Sequence, residues 1–289
     1  MKQVVVLSGK GGTGKTTLVA SLAYLGENLV VADCDVDAPD LHLLLKPEKL
    51  EFKEEFKGSK LALIDESKCV KCGLCEEHCR FNAIKDFRVN PILCEGCGVC
   101  EYVCPVKAIT LKEKVSGYVF VSRTRCGPLV HAKLDVAESN SGKLVTLVKN
   151  NAKNLALKED KKLILVDGPP GIGCPVIASL GEVNLALIIT EPTVSGLHDL
   201  QRILDLTGFF RIPAMVLINM YDLNLQKTEE IIGFCREVGV EVVEKIPFNP
   251  VVVEALTNGK PVVEYAPNSD VSEKIRKVWS RITSFLGLS

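Results

Sequence analysis

Ser8-Gly9-Lys10-Gly11-Gly12-Thr13-Gly14-Lys15-Thr16-Thr17 is the stretch on which the fold turns. Residues Gly9 to Thr16 fit the phosphate-binding pattern G-x4-G-K-[ST] without a mismatch. Gly9, Gly11, Gly12 and Gly14, with Thr13 among them, let backbone N–H groups curl around phosphate oxygens. Lys15 is placed to bridge the β and γ phosphates, and the Thr16 hydroxyl to reach Mg2+, with Thr17 next in line. Upstream, Val4-Val5-Val6-Leu7 reads as a buried parallel strand; downstream, the pattern predicts a helix from about Lys15 to Leu25. A strand before and a helix after give the motif its meaning, because the helix N-terminus adds its dipole to the phosphate site.

Further strand-like runs, Leu29–Ala32, Leu163–Val166, Leu185–Thr190 and Met215–Asn219, alternate with helical stretches. That alternation predicts an α/β fold with a doubly wound, mostly parallel sheet. Two of the runs end in acidic residues, Asp33-Cys34-Asp35-Val36-Asp37 and Asp167-Gly168-Pro169-Pro170-Gly171. Open α/β sheets bind ligands at this carboxyl end of their strands.

The balance of 35 Lys and Arg against 36 Asp and Glu gives no basic face for nucleic acid and no polybasic signal for an anionic membrane. No apolar run approaches membrane-spanning length, and the run after Met1 is too short for a secretory core. The expectation is a cytoplasmic protein without stable membrane insertion, in which 12 cysteines stay reduced and serve as ligands or free thiols.

Eight of those cysteines form a repeat: Cys69-x2-Cys72-x2-Cys75-x3-Cys79, then Cys94-x2-Cys97-x2-Cys100-x3-Cys104-Pro105. Each recurs 25 residues later (69 to 94, 72 to 97, 75 to 100, 79 to 104), and Ala83-Ile84 returns as Ala108-Ile109. Three thiolates at x2 spacing wrap three corners of a cubane, while zinc sites favour two separated pairs; two zinc sites are the alternative reading. The segment resembles bacterial-type ferredoxins with two [4Fe-4S] clusters, departing from them at Arg80 where the second repeat has Pro105. The resemblance implies that each fourth cysteine binds the other cluster. One cluster then takes Cys69, Cys72, Cys75 and Cys104, and the other Cys94, Cys97, Cys100 and Cys79. Electron transfer is the expected use, with a purely structural role as the alternative.

Lys10 beside Gly9 makes the phosphate loop a deviant Walker A, and the chain is similar to the MinD/ParA/nitrogenase-iron-protein group of ATPases. The resemblance implies ATP and Mg2+ as ligands and a homodimer that closes on ATP, with Lys10 reaching the partner's phosphates. Within the group's switch I, Asp35 would orient the attacking water, with Asp37 the second candidate. Asp167 would hold Mg2+ through water, the Gly171 amide would sense the γ phosphate, and Asn219 with the loop Pro247-Phe248-Asn249-Pro250 would recognise adenine.

The whole chain resembles the MinD-superfamily ATPases that contain an inserted ferredoxin domain. Residues 1–58 and 114–289 are expected to form the ATPase domain and 59–113 an inserted α+β ferredoxin-like domain. The Lys- and Glu-rich runs Glu48–Lys60 and Lys112–Lys114 read as solvated connectors. Cys174, seven residues after Asp167, has the spacing of a cluster ligand in nitrogenase iron protein, and Cys126-Gly127-Pro128 resembles its other ligand segment. These two thiols either bridge a third cluster across a dimer or are ordinary thiols, and Cys34 and Cys235 read as core residues. The amphipathic stretch Val271–Leu288 is expected to pack on the sheet. Three functions compete: ATP-dependent electron transfer to a redox protein, assembly or carriage of iron-sulfur clusters to a metallocofactor acceptor, and non-catalytic positioning.

Overall fold

The computed structural model describes residues 1–135, 138 and 141–288, with two compact units among them. One comprises Met1–Lys53, Val119–Lys133 and the chain from Ser141 onward; the other is centred on Glu54–Tyr118. In chain order the strands are β1 (Lys2–Ser8), β2 (Leu29–Asp33), β3 (Lys49–Phe56), β4 (Ser59–Ile64), β5 (Ile84–Lys85), β6 (Arg88–Val89), β7 (Ile109–Lys114), β8 (Gly117–Thr124), β9 (Gly127–Leu134), β10 (Leu163–Pro170), β11 (Leu185–Thr190), β12 (Ala214–Asn219) and β13 (Glu241–Ile246).

The larger sheet has nine strands in the order β13-β12-β11-β1-β10-β2-β9-β8-β3. From β13 through to β9 every pairing is parallel. Central strands are apolar at successive positions because both faces are covered. Val4 and Val6 of β1, Leu163 and Leu165 of β10 and Leu185 and Leu187 of β11 share a core with the helices Lys15–Leu25 and Asp270–Leu286. The helix Ser141–Lys158 packs on β2 and β10, burying Val145 and Val148. The C-terminal helix seats Val271, Ile275, Val278, Ile282 and Leu286 in the core, as its pattern predicts. No helix among the described residues is long and apolar enough to cross a membrane.

The charged run Glu48–Lys60 is not a connector. Most of it is β3, the edge of the sheet, with its side chains largely exposed. Lys and Glu suit such a strand because charge discourages pairing with foreign edges. Lys112–Lys114 likewise ends β7, which pairs antiparallel with β4.

The smaller unit keeps the duplication in its backbone. β4 pairs with β7 and β5 with β6, and the closing pairs Ile64–Ile109 and Val89–Ile84 are equivalent under the 25-residue shift. Asp65 N donates to Ala108 O as Asn90 N donates to Ala83 O, so each repeat is stitched to the other by the same bond. The short helices Leu74–Glu77 and Val99–Val103 also correspond. Each is preceded by a glycine at positive φ, Gly73 at 81° and Gly98 at 83°, a conformation in which side-chain-bearing residues are strained.

Candidate functional site

Strand register brings the acidic residues beside the phosphate loop. Asp167 of β10 lies opposite Val6 of β1 and opposite Asp33 of β2, so three strand ends converge on one edge of the sheet. There the chain encloses a cleft of about 610 Å3 lined by Lys10 to Thr17, Asp35, Asp37, Asn219 and Phe248. Gly14 holds the loop at φ 89°; a Cβ there would stand 2.6 Å from Asn219 Nδ2, which itself donates to Thr13 O at 2.8 Å. The end of β12 and the phosphate loop are thereby tied together.

Lys15 is the electrostatic centre. Its Nζ donates to Asp167 Oδ1 at 2.6 Å and lies 3.8 Å from Asp35 Oδ2. Burial alone would lower the Lys15 pKa, but Asp167, Asp35 and Asp33 hold it above the ordinary value. Asp33 is fully buried, and burial followed by the charge of Asp167 pushes its carboxyl well above the carboxylate range. Its oxygens accept from the amides of Asp35 and Leu41, which shape the turn after β2. Burial also raises Asp35, against the pull of Lys15. Asp167 Oδ2 is buried without a protein partner, so this acid can accept a bond from a hydrated Mg2+. Thr13 Oγ1 is similarly unpartnered.

In the smaller unit the eight repeat cysteines line two separate cavities. Cys69, Cys72, Cys75 and Cys104 share one with Leu74, Phe87 and Ile109. Cys94, Cys97, Cys100 and Cys79 share the other with Phe81, Ile84 and Leu111. Ala83 N donates to Cys79 Sγ at 3.3 Å and Ala108 N to Cys104 Sγ at 3.2 Å, a pair of bonds that orients the sulfur at both equivalent positions. Four thiols around an apolar-walled hollow fit a cubane cluster in donor type and number.

The profile of the CobQ/CobB/MinD/ParA nucleotide binding domain matches residues 4–262. The chain belongs to that family. Its members are P-loop ATPases, and this chain is an ATPase of the MinD/ParA kind. An uncharacterized protein of Methanocaldococcus jannaschii, MJ0578, is 35% identical over 98% of this chain and 97% of its own length. An iron-sulfur cluster carrier protein of the same organism is 24% identical over 97% of this chain and 83% of its own length. Among solved structures, septum site-determining MinD of Pyrococcus horikoshii complexed with Mg-ADP has a TM-score of 0.62 at 17% identity, covering 99% of this chain and 98% of that one.

Within this MinD/ParA frame, Lys10 to Thr17, Asp35, Asp37 and Asn219 line the cleft, whereas Gly9 lies against Asp199 and Asp167 is bonded to Lys15, neither of them on the lining. Lys10 is paired with Glu191 and lies 3.4 Å from Ser195 Oγ, partners that its sequence neighbourhood does not reveal. Gly171 departs from expectation: its N–H donates to Ser8 O at 3.0 Å, so a phosphate must displace that carbonyl to use it. Cys126 and Cys174 cannot meet. β9 runs parallel to β2, and Cys126 just before it sits by the start of β2, where the Cβ position of Gly127 is 3.1 Å from Leu29 O. Cys174 follows the end of β10, at the opposite edge of the sheet. Cys34 and Cys235 are buried. The residues that sequence reasoning missed are Asp33, given no role, and Val252, Val253 and Leu256, which line the cleft near Phe248. Exposed Val253 and Leu256 on a short helix are a signal for the latter.

Proposed function

We propose that this ATPase couples its nucleotide state to one-electron transfer through two [4Fe-4S] clusters held by the smaller unit. The observation that carries the reading is the pair of four-cysteine cavities, each completed by a cysteine from the other repeat. Cubane clusters supply one-electron chemistry at potentials set by hydrogen bonds to sulfur and by solvent access. The protein's part is to hold them: the N–H bonds to Cys79 and Cys104 orient these two sulfurs.

In the cleft, Lys15 exchanges Asp167 for the β and γ phosphates of ATP, which frees both Asp167 oxygens for the hydrated Mg2+ that the Thr16 hydroxyl also reaches. Asp35 orients the attacking water. Asn219, fixed by its bond to Thr13 O, presents its remaining amide oxygen to the adenine amino group. Lys10 leaves Glu191 to reach the phosphates of a second copy, making ATP the glue of a homodimer.

A second reading, delivery of clusters to an acceptor protein, is favoured by the similarity to iron-sulfur cluster carrier proteins. The cysteines weigh against it. Cys75 belongs to the core of the smaller unit, with Ala62, Ile84 and Ile109, and Cys79, Cys94, Cys100 and Cys104 pack against that core. A cargo whose ligands are the fold would unmake its carrier on release.

Anaerobic reconstitution followed by redox titration with and without ATP tests the proposal. The expected result is two clusters per chain whose potentials or spectra shift with nucleotide. Unchanged potentials together with cluster loss to an apo-acceptor would overturn it in favour of delivery.

A further inference from the structure

The two repeats share a backbone but not a surface. Ile92, Leu93 and Tyr102 are 64%, 45% and 91% exposed. The positions 25 residues earlier are Ser67, Lys68 and Glu77, also exposed but polar. Leu63 against Arg88 and Val70 against Glu95 run the other way. Charge differs in balance: between Arg88 and Lys107 the second repeat carries Glu95 and Glu101 and no basic residue, whereas the matching stretch of the first mixes Lys68, Lys71 and Arg80 with Asp65, Glu66, Glu76 and Glu77. A pseudo-symmetric scaffold has no folding reason to expose apolar side chains at these three places, because the other half folds with polar ones there.

We infer that the second repeat is the docking face for a redox protein whose own surface is apolar at its centre and basic at its rim. This rests on the proposed electron-transfer reading. Leu93 and Glu95 flank Cys94, and Glu101 and Tyr102 follow Cys100, so a partner seated here lies against the cavity of Cys94, Cys97, Cys100 and Cys79. Cys97 in that cavity is itself exposed. Glu95 and Glu101 steer a basic partner, and Ile92, Leu93 and Tyr102 give it apolar area to bury.

Cytochrome c, a basic one-electron acceptor, is the probe. Oxidised cytochrome c mixed with the oxidised chain reads binding alone by sedimentation; mixed with the dithionite-reduced, desalted chain it reads the electron-transfer rate. Leu93→Lys with Tyr102→Glu installs the first repeat's residues at equivalent backbone positions without changing net charge. The expectation is about a tenfold loss in both binding and rate. Glu95→Gln with Glu101→Gln, a milder pair, flattens the salt dependence. Lys68→Ala with Glu77→Ala leaves both readouts unchanged. Equal losses from the first-repeat pair, or no loss from either second-repeat pair, overturn the docking face. A reconstituted chain that folds without iron overturns the electron-transfer reading instead, and its binding arm still reports on the surface.

Discussion

The two units are held together by different means. The ATPase unit rests on a continuous apolar core to which β1, β10 and β11 contribute Val, Leu and Ile, and its cleft lies along one edge. Among the described residues, the cluster beneath the cysteines of the smaller unit is Ala62, Cys75, Ile84 and Ile109, and other thiols pack directly around it. A sheet with a large core folds whether or not its ligand is present; a short segment with so little apolar burial needs its ligands bound to stay folded. The lesson is that cysteine in the smaller unit does the work that leucine does in the larger.

The sharpest way to break this contrast is to strip iron. Chelation of the reconstituted protein is expected to unfold the smaller unit alone: amides of β4 and β7 should exchange with solvent at least about a hundredfold faster, while β1 and β10 keep their protection. Loss of protection in both units would mean that they share one cooperative transition. The reverse experiment is Lys15→Ala, which should lower ATP turnover about 10²–10³-fold while cluster absorbance is unchanged. Asp35→Asn should cost about 10²-fold in kcat with nucleotide binding retained, which separates water activation from phosphate capture.

Acid gives the smallest effect. His131 of β9 stacks between His42 and Phe120, with ring centroids 5.6 Å and 5.0 Å away. Burial, then His42, lowers its pKa to about 4. The unfolded chain therefore takes up this proton first as pH falls. Stability present above pH 6.5 is lost toward pH 4, by about 3 kcal/mol at most. His131→Phe should flatten that part of the pH–stability curve measured by urea unfolding. A curve identical to that of the unaltered protein would show that His131 is as free to protonate folded as unfolded.

Much of this was legible in the chain because the chemistry is local. The phosphate loop is contiguous, so its glycines, Lys15 and the helix Lys15–Leu25 could be read directly, as could strands whose apolar runs stand between polar turns. What escaped depends on neighbours far away in sequence. β3 reads as a charged linker until its place at the sheet edge is known. Asp33 looks interchangeable with Asp35, yet strand register buries one beside Asp167 and leaves the other facing the cleft. Glu191 meets Lys10 only because β11 lies next to β1. Cys126 and Cys174 fail to meet for the same kind of reason, strand direction being invisible in spacing.

The crossing of the fourth cysteines has a consequence for the history and engineering of the chain. Neither cavity belongs to one half, so a fragment carrying a single repeat owns three cysteines of one hollow and one of the other, and completes none. Once the duplication took this form, each half became hostage to the other. A lesion at Cys79 damages the hollow of the later repeat, and one at Cys104 that of the earlier. The pair can therefore be inherited, transplanted or lost only as a whole.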